Sequence, residues 1–127
     1  MDGNSETGLQ AHALGLIEKC SDAWNSHDLE TAFSLMTEDC LFDNTSPAPD
    51  GETFSGKPAI RACWEPIFRT PGMLFETEEL VVCDDRVTAR WRCSWSNADG
   101  TERHVRGIDL FKIRNGLIAE KLSYVKG

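Results

Sequence analysis

Asp109 stands out because of the residues around it. Along 102–113, Val105, Gly107, Asp109, Phe111 and Ile113 share one parity, and His104, Arg106, Ile108, Leu110 and Lys112 share the other. The first set is the more apolar, so on a half-buried strand it faces the interior. An ionised carboxylate among apolar neighbours is costly unless it is paired, hydrogen-bonded or protonated. An acid placed there is a candidate general acid or oxygen-binding donor. On the following segment Leu117, Ala119, Lys121, Ser123 and Val125 alternate with Ile118, Glu120, Leu122 and Tyr124. If the first of these sets turns inward, Lys121 or Ser123 neighbours Asp109, and Lys121 would keep that carboxylate charged. If the second does, Lys121 is an exposed edge charge. The pattern leaves both open.

Other side chains point away from several chemistries. His12, His27 and His104 show no HxH, HxxxH or HExxH spacing, so no metal is expected. The serines lack a GxSxG context, and no GxGxxG or P-loop is present, so neither a hydrolase elbow nor a cofactor is expected. Cys20, Cys40, Cys63, Cys83 and Cys93 are odd in number and contain no CxxC pair. The economical reading is reduced thiols in a cytoplasmic protein, each packed as a small hydrophobe, with Cys20 the one to watch.

The elements that must position these groups follow from periodicity. Residues 1–8 read as a loose tail, and 9–127 as one domain. Leu9, Ala13, Leu16, Ile17, Cys20 and Trp24 carry helical spacing. Asn25-Ser26-His27-Asp28 breaks it, and Asp28 can cap a second helix with Leu29, Ala32, Phe33 and Met36 as its apolar face. A strand follows around 40–44. The loop 45–56 holds two Pro and two Gly, with a short strand near 52–54, and could form a lid. Pro58 opens a third helix with the stripe Ile60, Cys63, Trp64, Ile67 and Phe68, which Pro66 should kink or end. The period then changes to two. Strands are expected over 73–83, 86–96, 102–113 and 117–125, separated by Asp84-Asp85, Asn97–Gly100 and Asn115-Gly116. Helices segregated against an antiparallel sheet make an α+β fold.

The chain has 127 residues and a net charge of −8, within the size of one domain. Residues 1–50 hold ten acids and one base, a net of −9; residues 51–127 hold eleven acids and twelve bases, a net of +1. The acidic first half repels phosphate and no basic run with interleaved aromatics follows, so nucleic acid is not an expected partner. No apolar run is long enough for a membrane span, and the acidic start MDGNSETGLQ does not read as a secretory signal.

The order α-α-β-α-β-β-β-β, the stretches AWNSHDLETAFSLMTEDCLFDN and FSGKPAIRACWEPIF, and the ending GIDLFKIRNGLIAEKLSYVKG together resemble the nuclear transport factor 2-like superfamily. Within it the chain is similar to the SnoaL-like and ketosteroid-isomerase-like branches, over about residues 9–126. The resemblance implies a cone in which a curved sheet wraps the first helix and opens on an apolar pocket for a small molecule. It also implies a homodimer through the outer sheet face, here Arg90, Arg92, Arg106, Ile108 and Leu110. Ketosteroid isomerases use a carboxylate base together with a Tyr and a protonated Asp that hold an enolate oxygen. Those positions match Asn44 (with Asp43 beside it), Cys20 and Asp109. The acid of SnoaL-type cyclases matches Ser123. The Arg and second Asp of limonene-type epoxide hydrolases match Gly107 and Ser123.

In the catalytic reading Asp109 is the acid or donor, and Asn44 orients a substrate oxygen. Cys20, Trp24, Phe42, Trp64, Trp91, Cys93, Trp95, Phe111, Lys121 and Ser123 then surround the ligand. The reaction would be proton transfer, dehydration or cyclisation on a carbonyl compound. In the other reading the same domain only binds a ligand or dimerises.

Overall fold

The structure is a computed structural model and describes residues 2–126, with side chains from Gly8 onward. Helix α1 (Asp2–Asn25) buries a single stripe, Ala13, Leu16, Ile17, Cys20 and Ala23. These fall at the three- and four-residue steps that put side chains on one face. The helix starts earlier than its apolar period does, so 2–8 are helical where a loose tail was expected; Met1 lies outside the described residues. An apolar stripe marks only the buried part of a helix, and nothing in it reports a polar extension.

The first helix stops where the sequence breaks. His27 takes a positive φ of 59°. Asp28 then caps α2 (Leu29–Ser34), accepting from the Thr31 N–H at 3.1 Å and the Thr31 hydroxyl at 2.6 Å. Met36 is not on this helix. It opens β1 (Met36–Asp43), pairs with Ile118 and is buried. β2 (Thr53–Ser55) folds back on β1, and α3 (Lys57–Phe68) runs two residues past Pro66 before it ends. The Arg61 guanidinium donates to both Glu30 carboxylate oxygens at 2.8 and 3.0 Å, tying α3 to α2.

The remaining chain is a meander of β3 (Leu74–Cys83), β4 (Arg86–Ser96), β5 (Glu102–Arg114) and β6 (Leu117–Val125). The six-stranded sheet has the order β2-β1-β6-β5-β4-β3. Every neighbouring pair is antiparallel except β1–β6, which is parallel. The parallel pair was not expected; it arises because α3 and the meander lie between the two strands and return the chain in the same direction. The fold is therefore α+β, a curved sheet closed on one face by helices.

The helices and the inner sheet face share one core. At its centre is Trp64, with no exposed surface. It is surrounded by Trp24, Phe33, Phe42 and Phe68 at centroid distances of 4.8, 5.4, 5.2 and 6.1 Å. The alternation on β4 is as expected: Val87, Ala89 and Cys93 are buried, while Arg86 and Arg90 are exposed. None of the described helices is long and apolar enough to cross a membrane.

Candidate functional site

The pairing of β5 with β6 builds the site. Asp109 lies directly opposite Ser123, and Phe111 opposite Lys121. Lys121 is thus the diagonal neighbour of Asp109 on the same face, within reach of a long side chain. Its Nζ lies 3.2 Å from Asp109 Oδ2 and donates to the Ser123 hydroxyl at 3.2 Å. The ambiguity of the last strand is resolved: Ala119, Lys121 and Ser123 point inward. Ile118, of the opposite parity, is also buried because the register shifts between Lys112 and Ile113.

The pair is sheltered. Asp109 is 8% exposed, and the Lys121 side chain 12%. On the other flank Phe42 of β1 is in register with Lys121. The ammonium lies 5.1 Å from the Phe42 ring centre, 5.5 Å from Trp24 and 5.9 Å from Trp64, distances at which a cation is attracted to a ring face. Asp109 Oδ1 is buried and meets no hydrogen-bond partner among the described residues; the indole N–H groups of Trp24 and Trp91 are in the same situation. The resemblance implied a protonated Asp109. Here the Lys121 ammonium stands 3.2 Å from it, a neighbour that the resemblance does not imply.

Two chambers adjoin at this pair. The inner one, about 70 Å³, is lined by Cys20, Ser21, Thr77 and Phe111 among others. The outer one, about 300 Å³, is lined by Phe42, Asn44, Cys93, Trp95 and Ser123 among others. Both are bordered by Trp24, Phe75, Trp91, Asp109 and Lys121. Trp64 was expected to touch a ligand, but it lines neither chamber; it is core that backs Trp24 and Phe42. Asn44 is at the outer wall, its side-chain oxygen accepting the Thr45 N–H at 2.8 Å and its amide 3.8 Å from Cys63 Sγ. Asp43 is turned the other way, accepting from the Thr53 hydroxyl at 3.0 Å. Of the loop 45–56, only Thr45 reaches the chamber.

Phe75 and Thr77 are lining residues that periodicity misses. Near the Asp84-Asp85 turn Val82 and Leu80 face Val87 and Ala89, but the register shifts between Thr77 and Glu79, after which Thr77 and Phe75 face Trp91 and Cys93. This bulge reverses the inward parity of β3. The only hint in the sequence is that apolar residues occur at both parities of 73–83. Asn25 at the end of α1 then clamps Phe75: its amide donates to the Phe75 carbonyl at 2.8 Å, and its oxygen accepts the Phe75 N–H at 2.8 Å.

Burial governs the thiols. Desolvation pushes Cys20 up to about 11, against the pull of Lys121, with Asp109 adding to the rise. Desolvation, with Asp39 second, pushes Cys40 up to about 12. Neither is a ready nucleophile near neutrality. Cys83, at the end of β3, is exposed rather than packed. Among the described residues no three His, Cys, Asp or Glu side chains converge as a metal site would require.

A curved sheet capped by helices over a polar pair in an apolar cavity defines an NTF2-like cone. The SnoaL-like domain family matches residues 17–121, and the chain belongs to that family. It is similar to an NTF2-like protein of unknown function from Mesorhizobium loti, at 37% identity over 92% of this chain and 93% of that one, with a TM-score of 0.77. A Mycobacterium tuberculosis protein solved with estradiol-17β-hemisuccinate shares the fold at 21% identity, covering 89% and 92% of the two chains, with a TM-score of 0.74. So does TerC, co-crystallised with polyporic acid, at 17% identity, 91% and 92% coverage and a TM-score of 0.75. No curated protein matches the chain.

Two outcomes follow from this geometry. Lys121→Met leaves the Asp109 carboxylate buried without its cation and should cost about 3–5 kcal/mol in urea unfolding; a loss below about 1 kcal/mol would mean the pair is solvated. At pH 8 iodoacetamide should label Cys83 and leave Cys20 and Cys40 unmodified, as read by peptide mass spectrometry. Raised thiol values also remove stability at alkaline pH. The unfolded chain ionises near the ordinary value of 9.0, while folded Cys20 holds its proton to about 11. Stability should therefore be full below pH 9 and fall between 9 and 11.

Proposed function

We propose that this SnoaL-like domain binds a small, largely apolar carbonyl compound in the outer chamber and moves a proton on it. The observation that carries the reading is Asp109 Oδ1, a buried carboxylate oxygen without a partner beside an ammonium at the junction of two chambers. Oδ1 takes a proton from the carbon next to the carbonyl. Lys121 donates to the carbonyl oxygen as charge develops there, and a donor aimed at developing charge in a sheltered site lowers the barrier. Asn44 retains an amide N–H for orienting the same oxygen. The protonated Asp109 then returns its proton to the far carbon of a dienolate for isomerisation, to a β-hydroxyl that leaves as water for dehydration, or to the alkoxide formed when the enolate carbon attacks a second carbonyl of the same molecule for ring closure. The small molecules held by the M. tuberculosis relative and by TerC support a ligand of this size class.

The test follows deuterium uptake from D2O at the carbon next to the carbonyl of α-tetralone. Wild type should accelerate the exchange, and Asp109→Asn should lower it by about 10²- to 10⁴-fold at a temperature where circular dichroism shows the variant still folded. Equal exchange by both proteins overturns the assignment. Binding of tetralone without exchange makes this a ligand-binding domain, the second reading.

The outer sheet face is proposed to join two copies. Ile108 and Tyr124, in register on β5 and β6, are 38% and 56% exposed. Arg106–Glu78 and Arg90–Glu79 ion pairs lie on the same face. An isologous contact would cover it. Sedimentation should give a dimer for wild type and a monomer for Ile108→Asp, and a monomeric wild type rules the contact out. Five unpaired cysteines suit a reducing, cytoplasmic setting.

A further inference from the structure

Trp91 borders the outer chamber, and the way it is seated bears on what the chamber selects. Trp91 of β4 lies directly opposite Gly107 of β5. A Cβ at Gly107 would collide with the six-membered ring of Trp91 and with the Tyr124 carbonyl oxygen. The indole therefore leans across β5 and rests in the space a side chain would occupy. Gly107 has no positive φ, so its smallness serves this close approach rather than a turn.

Packing rather than hydrogen bonding holds the ring in that seat. Its N–H has no hydrogen-bond partner among the described residues, and its aromatic neighbour Phe75 meets it edge-on, with centroids 5.8 Å apart and planes at 71°. Trp91 is only half-buried and borders both chambers beside Asp109.

We propose that Gly107 and Trp91 form one specificity-determining unit: the glycine seats the indole as a flat floor, and the floor selects planar ring systems for presentation to Asp109. This rests on the outer chamber being the ligand site, as proposed above. Aromatic stacking adds to simple burial, so a flat ring gains over a puckered one of the same size.

The experiment titrates wild type with 2-naphthol and with 2-decalol, its saturated counterpart on the same fused skeleton, and follows the tryptophan indole N–H resonances by NMR. Wild type should prefer 2-naphthol, with the Trp91 resonance moving most. Trp91→Leu should lower 2-naphthol affinity by roughly five- to tenfold and leave 2-decalol within about twofold. Gly107→Ala should shift the Trp91 resonance before any ligand is added; should that variant fail to fold, Trp91→Leu decides. Equal affinity of wild type for the two probes, or an unchanged preference in Trp91→Leu, overturns the proposal. Asp109→Asn keeps the preference for the flat probe while losing proton exchange, so failure of the floor and failure of the carboxylate are read separately.

Discussion

A carboxylate and an ammonium, 3.2 Å apart and almost out of water, impose the main constraint on this molecule. Removing two charges from solvent is unfavourable, and their mutual attraction offsets it only when both are well partnered. Lys121 is well partnered: it has Asp109, the Ser123 hydroxyl and the faces of Phe42, Trp24 and Trp64. Asp109 is not, because one of its oxygens has nothing to accept. A core built for stability alone would put apolar residues at both positions. The asymmetry leaves the cation fixed in place and one oxygen of the carboxyl as a free acceptor.

The fold divides its labour around that pair. Behind it the packing is solid: Trp64, fully buried, sits among Trp24, Phe33, Phe42 and Phe68. In front, the space is bounded by residues held from a distance. Phe75 is placed by the Asn25 clamp, Trp91 by the seat at Gly107, and Asn44 by its bond to the Thr45 N–H. Gly51 shows the same economy in the loop beyond. Its φ of 77° and its closeness to the Asn44 carbonyl leave no room for a side chain, and its N–H bonds the Pro47 carbonyl at 2.7 Å.

The cone is that of the SnoaL-like family, and the polar groups inside it match the ketosteroid isomerase set only in part. Where the ketosteroid isomerase resemblance implies a hydroxyl donor on the first helix, Cys20 offers a weakly donating thiol that burial keeps protonated. Where it implies a carboxylate base, Asn44 faces the chamber and Asp43 turns outward to Thr53. The buried charges lie on neighbouring strands of the sheet, where Lys121 and Asp109 stand together. A scaffold that leaves its inner face open to substitution hosts such changes without altering its architecture.

Much of this was legible in the residue order. The α+β class, the turns at Asp84-Asp85 and Asn115-Gly116, the cap at Asp28, the inward face of β4 and the inward Asp109 all follow from local rules, because periodicity and turn chemistry act within a few residues. Four features did not follow: Lys121 beside Asp109, Phe75 at the chamber, Met36 on a strand, and Trp64 as backing rather than wall. Each depends on which strand lies beside which and in what register. Two register shifts, at Thr77/Glu79 and Lys112/Ile113, reverse the side-chain parity that sequence alternation would carry straight through. The parallel β1–β6 pair brings together residues some eighty positions apart, Phe42 and Lys121 among them. Local preference could say which side chains go inside. Which of them meet was settled only when the sheet closed, because long-range pairing is chosen by the packing of the whole core rather than by any one segment.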